Sequence, residues 1–365
     1  MTLATATAAV MMLGITLYAC TGIADYGAGF WDLSAGGRAG GRQPRELIDA
    51  AITPVWEANH VWLIFVFVLC WTAFGPAFAS IMSTLFIPLA VAALGIVLRA
   101  ASFAMAKDAA KARARHVAGW LFGVGSVLTP LCLGAAVGAV LAGRVPVGNS
   151  AGNEVSSWWN ATSISVGLLV VAIGAFVSAV YLTAEAHKRG IAGLERYFRR
   201  RAVAAGGAAA VLGIIALLAL RADQRQMFDR IVGRSWALIL LGLLALTAVF
   251  LLAVRGRVRG LRLVAGLGVA ALVWAWAVAQ YPYLLPFSLT VQAGAAPAAT
   301  LRWILAWFVV SLLLVAPALT LLFVLDQRAD LGEDPTTSRP DGEESRAAYP
   351  SPTAAGRRSD TGSAS

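Results

Sequence analysis

The sequence predicts an all-α integral membrane protein: about nine transmembrane helices, as two four-helix bundles plus one peripheral helix, followed by a disordered cytoplasmic tail. Three observations carry this. Hydrophobic residues make up 59% of the 365 positions and charged residues only 13%, whereas soluble domains carry about 25% charged residues. Apolar runs of roughly 20 residues, the length that crosses a bilayer core, recur along the chain. Lys and Arg concentrate in alternate links between those runs.

The runs fall at about 4–28, 56–75, 80–103, 116–142, 160–184, 201–220, 235–254, 261–281 and 301–325. The first lacks a basic leader and a small-residue cleavage site, so it reads as a retained helix rather than a signal peptide. The short link "GPAFAS" (75–80) makes the second and third spans antiparallel neighbours. The links 29–55 and 143–159 are longer and Gly-rich or polar, and are places for partner contacts or lids. Residues 1–327 are expected to form the membrane domain. Residues 328–365, rich in Pro, Ser, Thr, Gly and charge, are expected to be disordered.

The net charge is +10, and its distribution points to topology rather than to nucleic acid. With the N-terminus outside, the inside links hold 18 Lys and Arg, clustered at 38–45, 99–115, 188–201 and 255–262. The outside links hold 6 (Arg144, Arg221, Arg225, Arg230, Arg234 and Arg302), and the tail holds 5. The positive-inside rule then places the tail in the cytoplasm. No phosphate-binding Gly loop, dinucleotide fingerprint or paired CxxC occurs, which argues against nucleotide chemistry and metal binding. Cys20, Cys70 and Cys132 fall inside apolar spans without metal-type spacing and are expected to be buried free thiols.

Polar residues at membrane depth are the functional candidates. The stretch "ITPVWEANHVWLIF" opens the second span with Glu57, Asn59 and His60. Thr53 can cap a helix whose first residue is Pro54, which sets Glu57 in the first turn, where the helix dipole favours an anion. That structural account leaves His60 unexplained. Positions 57, 60 and 64 share a helical face, so Glu57 and His60 can meet as a proton relay. Asp25, near the end of the first span, is either a solvated helix-end carboxylate or a partner of Glu57 across a helix pair. Arg99 closes the third span either as a snorkelling anchor, as a counter-charge to Glu57, or as a lipid-phosphate ligand. Glu185 has Lys188 and Arg189 at i+3 and i+4, the spacing of a helix-surface ion pair; His116 and His187 lie in basic links and read as solvated. Trp274, Trp276, Tyr281 and Tyr283, around Pro282 and Pro286, read as an interfacial belt ahead of a ligand groove. Three His in the chain, none opposite a second axial partner, argue against a haem bound wholly by this chain. No residue is assigned a catalytic role, and no metal site is expected.

Together, "TGIADYGAG", the block from "ITPVWEANHVWLIF" through "GIVLRAASFAMAK", "AVYLTAEAHKRG" and "YPYLLPFSLT" closely resemble subunit II of the cytochrome bd-type quinol oxidases. The resemblance covers roughly 1–325. The Trp56-Glu57-x-Asn59 element, followed by Trp62 and then Arg99, is its most specific part. It implies a respiratory complex of the bacterial plasma membrane, in which subunit I carries haem b and haem d, oxidises quinol and reduces dioxygen to water. This chain is then the haem-free partner, inactive alone, with membrane lipid and a possible small accessory transmembrane subunit beside it. In the family the acidic position occupied by Glu57 is associated with a cytoplasmic proton path, and Asp25 matches the acidic position of the first helix. Gly22 stands where some members carry a further Asp, and Ala293 where many carry Asp or Glu.

Two other readings remain from the residues. A proton-coupled secondary transporter would use Glu57 and Asp25 as coupling carboxylates, but it should show paired broken helices, and none is visible in the sequence. A purely structural subunit would use the same carboxylates only for packing.

Overall fold

A computed structural model describes residues 2–36, 41–52, 56–108, 112–257 and 260–332. Helix α1 runs Leu3–Leu33, α2 Arg42–Ile52, α3 Trp56–Ala73, α4 Gly75–Thr84, α5 Phe86–Asp108, α6 Ala112–Leu141 and α7 Ala161–Lys188. They are followed by α8 (Ala192–Asp223), α9 (Arg225–Arg234), α10 (Trp236–Val254) and α11 (Leu261–Gln280). A hairpin of β1 (Tyr283–Leu285) and β2 (Leu289–Thr290) precedes α12 (Ala298–Gly332). Among the described residues, six helices are long and apolar enough to cross a membrane, or seven if α3 and α4 form one broken span.

The chain divides into two compact units, Met1–Leu305 and Ala306–Ser365. Within the first, α1 is the hub: it packs on α3, α6, α7 and α11, while α5 lies on α6, α8 on α7, and α10 on α11. Small residues make this possible, since apolar helices in lipid gain most from close packing. A Cβ added to Gly27 of α1 would lie 1.9 Å from the Gly174 carbonyl oxygen of α7, so the two backbones touch directly. Beside that contact the Trp31 indole donates to the Ala175 carbonyl at 2.8 Å. Of the second unit, the described residues, 306–332, are the continuation of α12.

Several boundaries differ from those expected. Helix α1 continues past residue 28 because Trp31 and Ala28 are buried against α7 and neighbouring helices. The link that follows contains α2, whose Leu47 and Ile48 are buried while Arg42 and Glu46 pair in the open at 2.7 Å. The segment "GPAFAS" is not a plain loop. It opens α4, bent 119° from α3, with the fully buried Phe74 at the corner and a Pro in the first turn of α4. The third span consequently begins at Phe86 rather than at 80. The basic cluster 196–201 lies on α8, not in a link, because Leu194 and Phe198 anchor that first stretch in the core. Helix α12 extends to Gly332, beyond the expected end at 325. Residues 328–332 of the expected tail (328–365) therefore lie on α12 rather than in disordered chain, and the rest, from 333 onward, lies outside the described residues.

Candidate functional site

At the end of the bundle opposite the N-terminus of α1, a charged pair sits inside the protein. Arg99 of α5 is fully buried and Asp25 of α1 nearly so, and Arg99 Nη2 donates to Asp25 Oδ2 at 2.6 Å. The guanidinium also donates from Nη1 to Ser126 Oγ of α6. It lies between two rings, 4.7 Å from the centroid of Tyr26 and 4.5 Å from that of Phe122. The pairing compensates a charge that would otherwise cost several kcal/mol to bury, and the ring faces add electrostatic attraction. Tyr26 extends the cluster through a 2.9 Å hydroxyl contact with Tyr18.

A second polar contact lies close by along α1. The fully buried Asn59 of α3 accepts from Thr21 Oγ1 at 2.8 Å. A Cβ at Gly22 would come within 2.3 Å of Asn59 Nδ2, so the missing side chain at position 22 is what admits Asn59 to the surface of α1. An Asp there could coexist with Asn59 only if the asparagine moved. Among the described residues, Asp25 Oδ1, Asn59 Nδ2 and Arg99 Nε meet no hydrogen-bond partner. Buried polar atoms left without a partner are the groups that ordered water satisfies.

His60 is half-buried on α3, and Trp62 packs edge-on against Phe65 at 6.3 Å. Thr53 and Pro54, expected to start this helix, and the side chains of Trp56 and Glu57 lie outside the described residues. The expected meetings of Glu57 with His60, and of Glu57 with Asp25, therefore rest on the helix backbone alone. Further along, Asp32 lies 3.3 Å from Arg45 of α2, which also donates to the Gly36 carbonyl at 2.9 Å. Glu185 meets Arg189 at 2.9 Å and Lys188 at 3.9 Å, and His187 Nδ1 lies 3.2 Å from Glu195. His187 is thus engaged rather than simply solvated; the side chain of His116 lies outside the described residues.

Two expectations change. Arg99 is not a snorkelling anchor, nor does its head face lipid phosphate: its ion pair is with Asp25, reached across α1 and α5. Asp25 does not cap a helix in water but sits well inside α1, because that helix continues for two more turns. The three cysteines are free, with Cys132 buried and Cys20 and Cys70 half-buried. Trp274, Trp276, Tyr281 and Tyr283 line a cavity, which favours the groove over a simple belt. Sequence reasoning overlooked Thr21, Tyr26, Phe122 and Ser126. The i, i+4 spacing of Thr21 and Asp25 was the available signal for the first; Ser126, in "GVGSVLTP", carried none.

The comparisons with known proteins follow the same region. A family model described as cytochrome bd terminal oxidase subunit II matches residues 3–325. The chain belongs to that family. It is 26% identical over 187 residues to cytochrome bd ubiquinol oxidase subunit 2 of Bacillus subtilis (strain 168). That alignment spans about half of each protein, 51% of this chain and 54% of the relative. The solved structure of bd oxidase from Geobacillus thermodenitrificans contains a chain that this one matches with a TM-score of 0.74 and 25% identity. The match covers 89% of this chain and 98% of that one.

Proposed function

We propose that the chain works as the haem-free subunit II of a bd-type quinol oxidase, stabilising the haem-bearing subunit I and conducting protons toward it from the cytoplasm. The haems b and d, quinol oxidation and the reduction of dioxygen belong on this reading to the complex, and the chain alone is inactive. The observation that carries the proposal is the buried Asp25–Arg99 pair with orphaned polar atoms around it, next to Asn59, two residues after Glu57 on α3. Glu57 receives the proton at the mouth of α3. His60 and Asn59 continue the polar track on the same helix, and Asp25 with Arg99 forms its inner end. Arg99 keeps the inner carboxylate from standing as a lone buried charge, while the spare donor and acceptor atoms bind the water through which a proton moves.

The same reading arranges the nine spans as two four-helix bundles plus one peripheral helix. The excess of Lys and Arg in alternate links supports an external N-terminus and a cytoplasmic, disordered tail after the membrane domain. Lipid and a small accessory transmembrane subunit complete the surroundings.

The test is Glu57→Gln in the intact complex. Assembly and haem content should stay near wild type while quinol-driven oxygen uptake falls at least about tenfold, a modest loss for a proton-transfer group. Glu57→Asp should retain part of the activity, and His60→Ala should lose less, because water can replace an imidazole in a chain. Full turnover by an assembled Glu57→Gln complex would reduce Glu57 to a helix-end residue.

A further inference from the structure

At the bundle end that holds the N-terminus of α1, a cavity of about 880 Å³ opens between α1, α3, α4, α6 and α11, with the first turn of α5, the end of α9 and strand β1 also on its wall. Its size is within the range of about 300 to 1,000 Å³ common for ligand sites. Ala8, Met12, Val66, Ile81, Leu89 and Val137 are typical of its wall. Four of the polar side chains on that wall are engaged within the protein. Tyr18 pairs with Tyr26, Thr5 accepts from Gln292, and Gln280 accepts from Trp276 and donates to the Leu284 carbonyl.

Arg234 is the one charged side chain among the lining residues. Its guanidinium reaches the Tyr281 carbonyl only at 3.4 Å. Arg230, one turn earlier on α9, donates to the same carbonyl and, at 2.7 Å, to that of Ala279. Neither arginine forms an ion pair with a carboxylate among the described residues, in contrast to Arg144, which pairs with Asp223 at 2.9 Å. Burial, and then the neighbouring Arg234 charge, lower the Arg230 guanidinium from its ordinary value. Arg234 therefore stands on the wall of an apolar cavity with Arg230 beside it on α9, and no carboxylate among the described residues pairs with either.

We propose that the cavity holds one anionic glycerophospholipid from the adjacent leaflet, an acyl chain inserted between α1, α3 and α6 and its phosphate on Arg234, with Arg230 behind it. The apolar wall suits a saturated chain, and a phosphodiester needs cations more than it needs neutral donors. A quinone ring carries no charge to pair with a guanidinium, so the unpaired Arg234 favours an anionic lipid over it. The phosphate position on Arg234 is distinct from the proposed proton path, although Tyr18 on the cavity wall is hydrogen-bonded to Tyr26 beside Arg99.

The experiment uses the full chain, extracted with its co-assembled subunits in mild detergent, and counts retained lipid by mass spectrometry. Wild type should keep one anionic phospholipid per chain. Arg234→Gln should lower that occupancy about tenfold, the scale of one lost charge-assisted contact, and Val137→Trp should exclude the acyl chain while leaving both arginines in place. As a second readout, vesicles of phosphatidylglycerol should raise the melting temperature of the delipidated wild type; vesicles of phosphatidylcholine should not, and Arg234→Gln should not respond. Retention of a quinone or a zwitterionic lipid in the cavity overturns the proposal. So does an equal thermal response to both lipids, or an Arg234→Gln variant with wild-type occupancy.

Discussion

Asp25 and Arg99 are the residues on which the interior of this end of the bundle depends. Each is worth little as an isolated charge and costly as an orphan, because removing one partner of a buried pair leaves the other without compensation. Asp25→Ala and Arg99→Ala should each destabilise the folded chain by about 3 to 5 kcal/mol, read as a fall in melting temperature of the purified complex. The double variant should be no worse than the more damaging single one, and this non-additivity is the signature of direct coupling. Additive losses would mean that Ser126, Tyr26 and Phe122 hold Arg99 without help from Asp25. Asn59→Leu belongs at the same scale: it removes the acceptor for Thr21 and should destabilise by roughly 1 kcal/mol.

Among the elements, α1 owes its hub position to residues without side chains. Gly27 faces the Gly174 carbonyl so closely that a methyl group cannot be accommodated unless the helices separate. Gly27→Ala should therefore loosen the packing of α1 on α7, lowering the melting temperature and the yield of assembled protein. Gly207 of α8 provides the control, since nothing lies within 4 Å of its would-be Cβ. Gly207→Ala should be neutral or stabilising by up to about 1 kcal/mol from helix propensity. Equal losses from the two changes would show that glycine matters here for flexibility and not for approach. Helix α4 poses a different problem at this scale. Its turn away from α3 comes where Phe74 is swallowed by the core and Pro76 blocks continuation of the α3 hydrogen-bond ladder, a break that an apolar sequence hides.

For the whole molecule, the proposed orientation gives a direct expectation. A topology reporter at Gly190, between α7 and α8, should be cytoplasmic, and one inserted between 146 and 152, before α7, should be external. The reverse pattern would remove the cytoplasmic entry for protons at Glu57 and the reading built on it, while leaving the lipid site on Arg234 intact but in the opposite leaflet.

Length, apolar runs and the spread of Lys and Arg determined on their own that this is a helical membrane protein, and roughly where most of its long helices lie. That follows because a bilayer imposes one requirement on every crossing segment: about 20 apolar residues with their backbone groups bonded internally. The motif around Glu57 and Asn59 likewise marked the region of the candidate site, since polar residues at membrane depth are conspicuous against their surroundings. What the sequence could not decide was pairing. Whether Arg99 reaches water, Glu57 or Asp25 depends on which helix lies beside α5 and at what height, and that is set by contacts such as Gly27 against Gly174, far from Arg99 along the chain. Amphipathic α2 and α9, and the corner at Phe74, escaped a search for long apolar runs for the same reason: they are held by what they pack against. The cavity beside Arg234 exists only as the space left between several helices and the hairpin, so no single stretch of residues contains it.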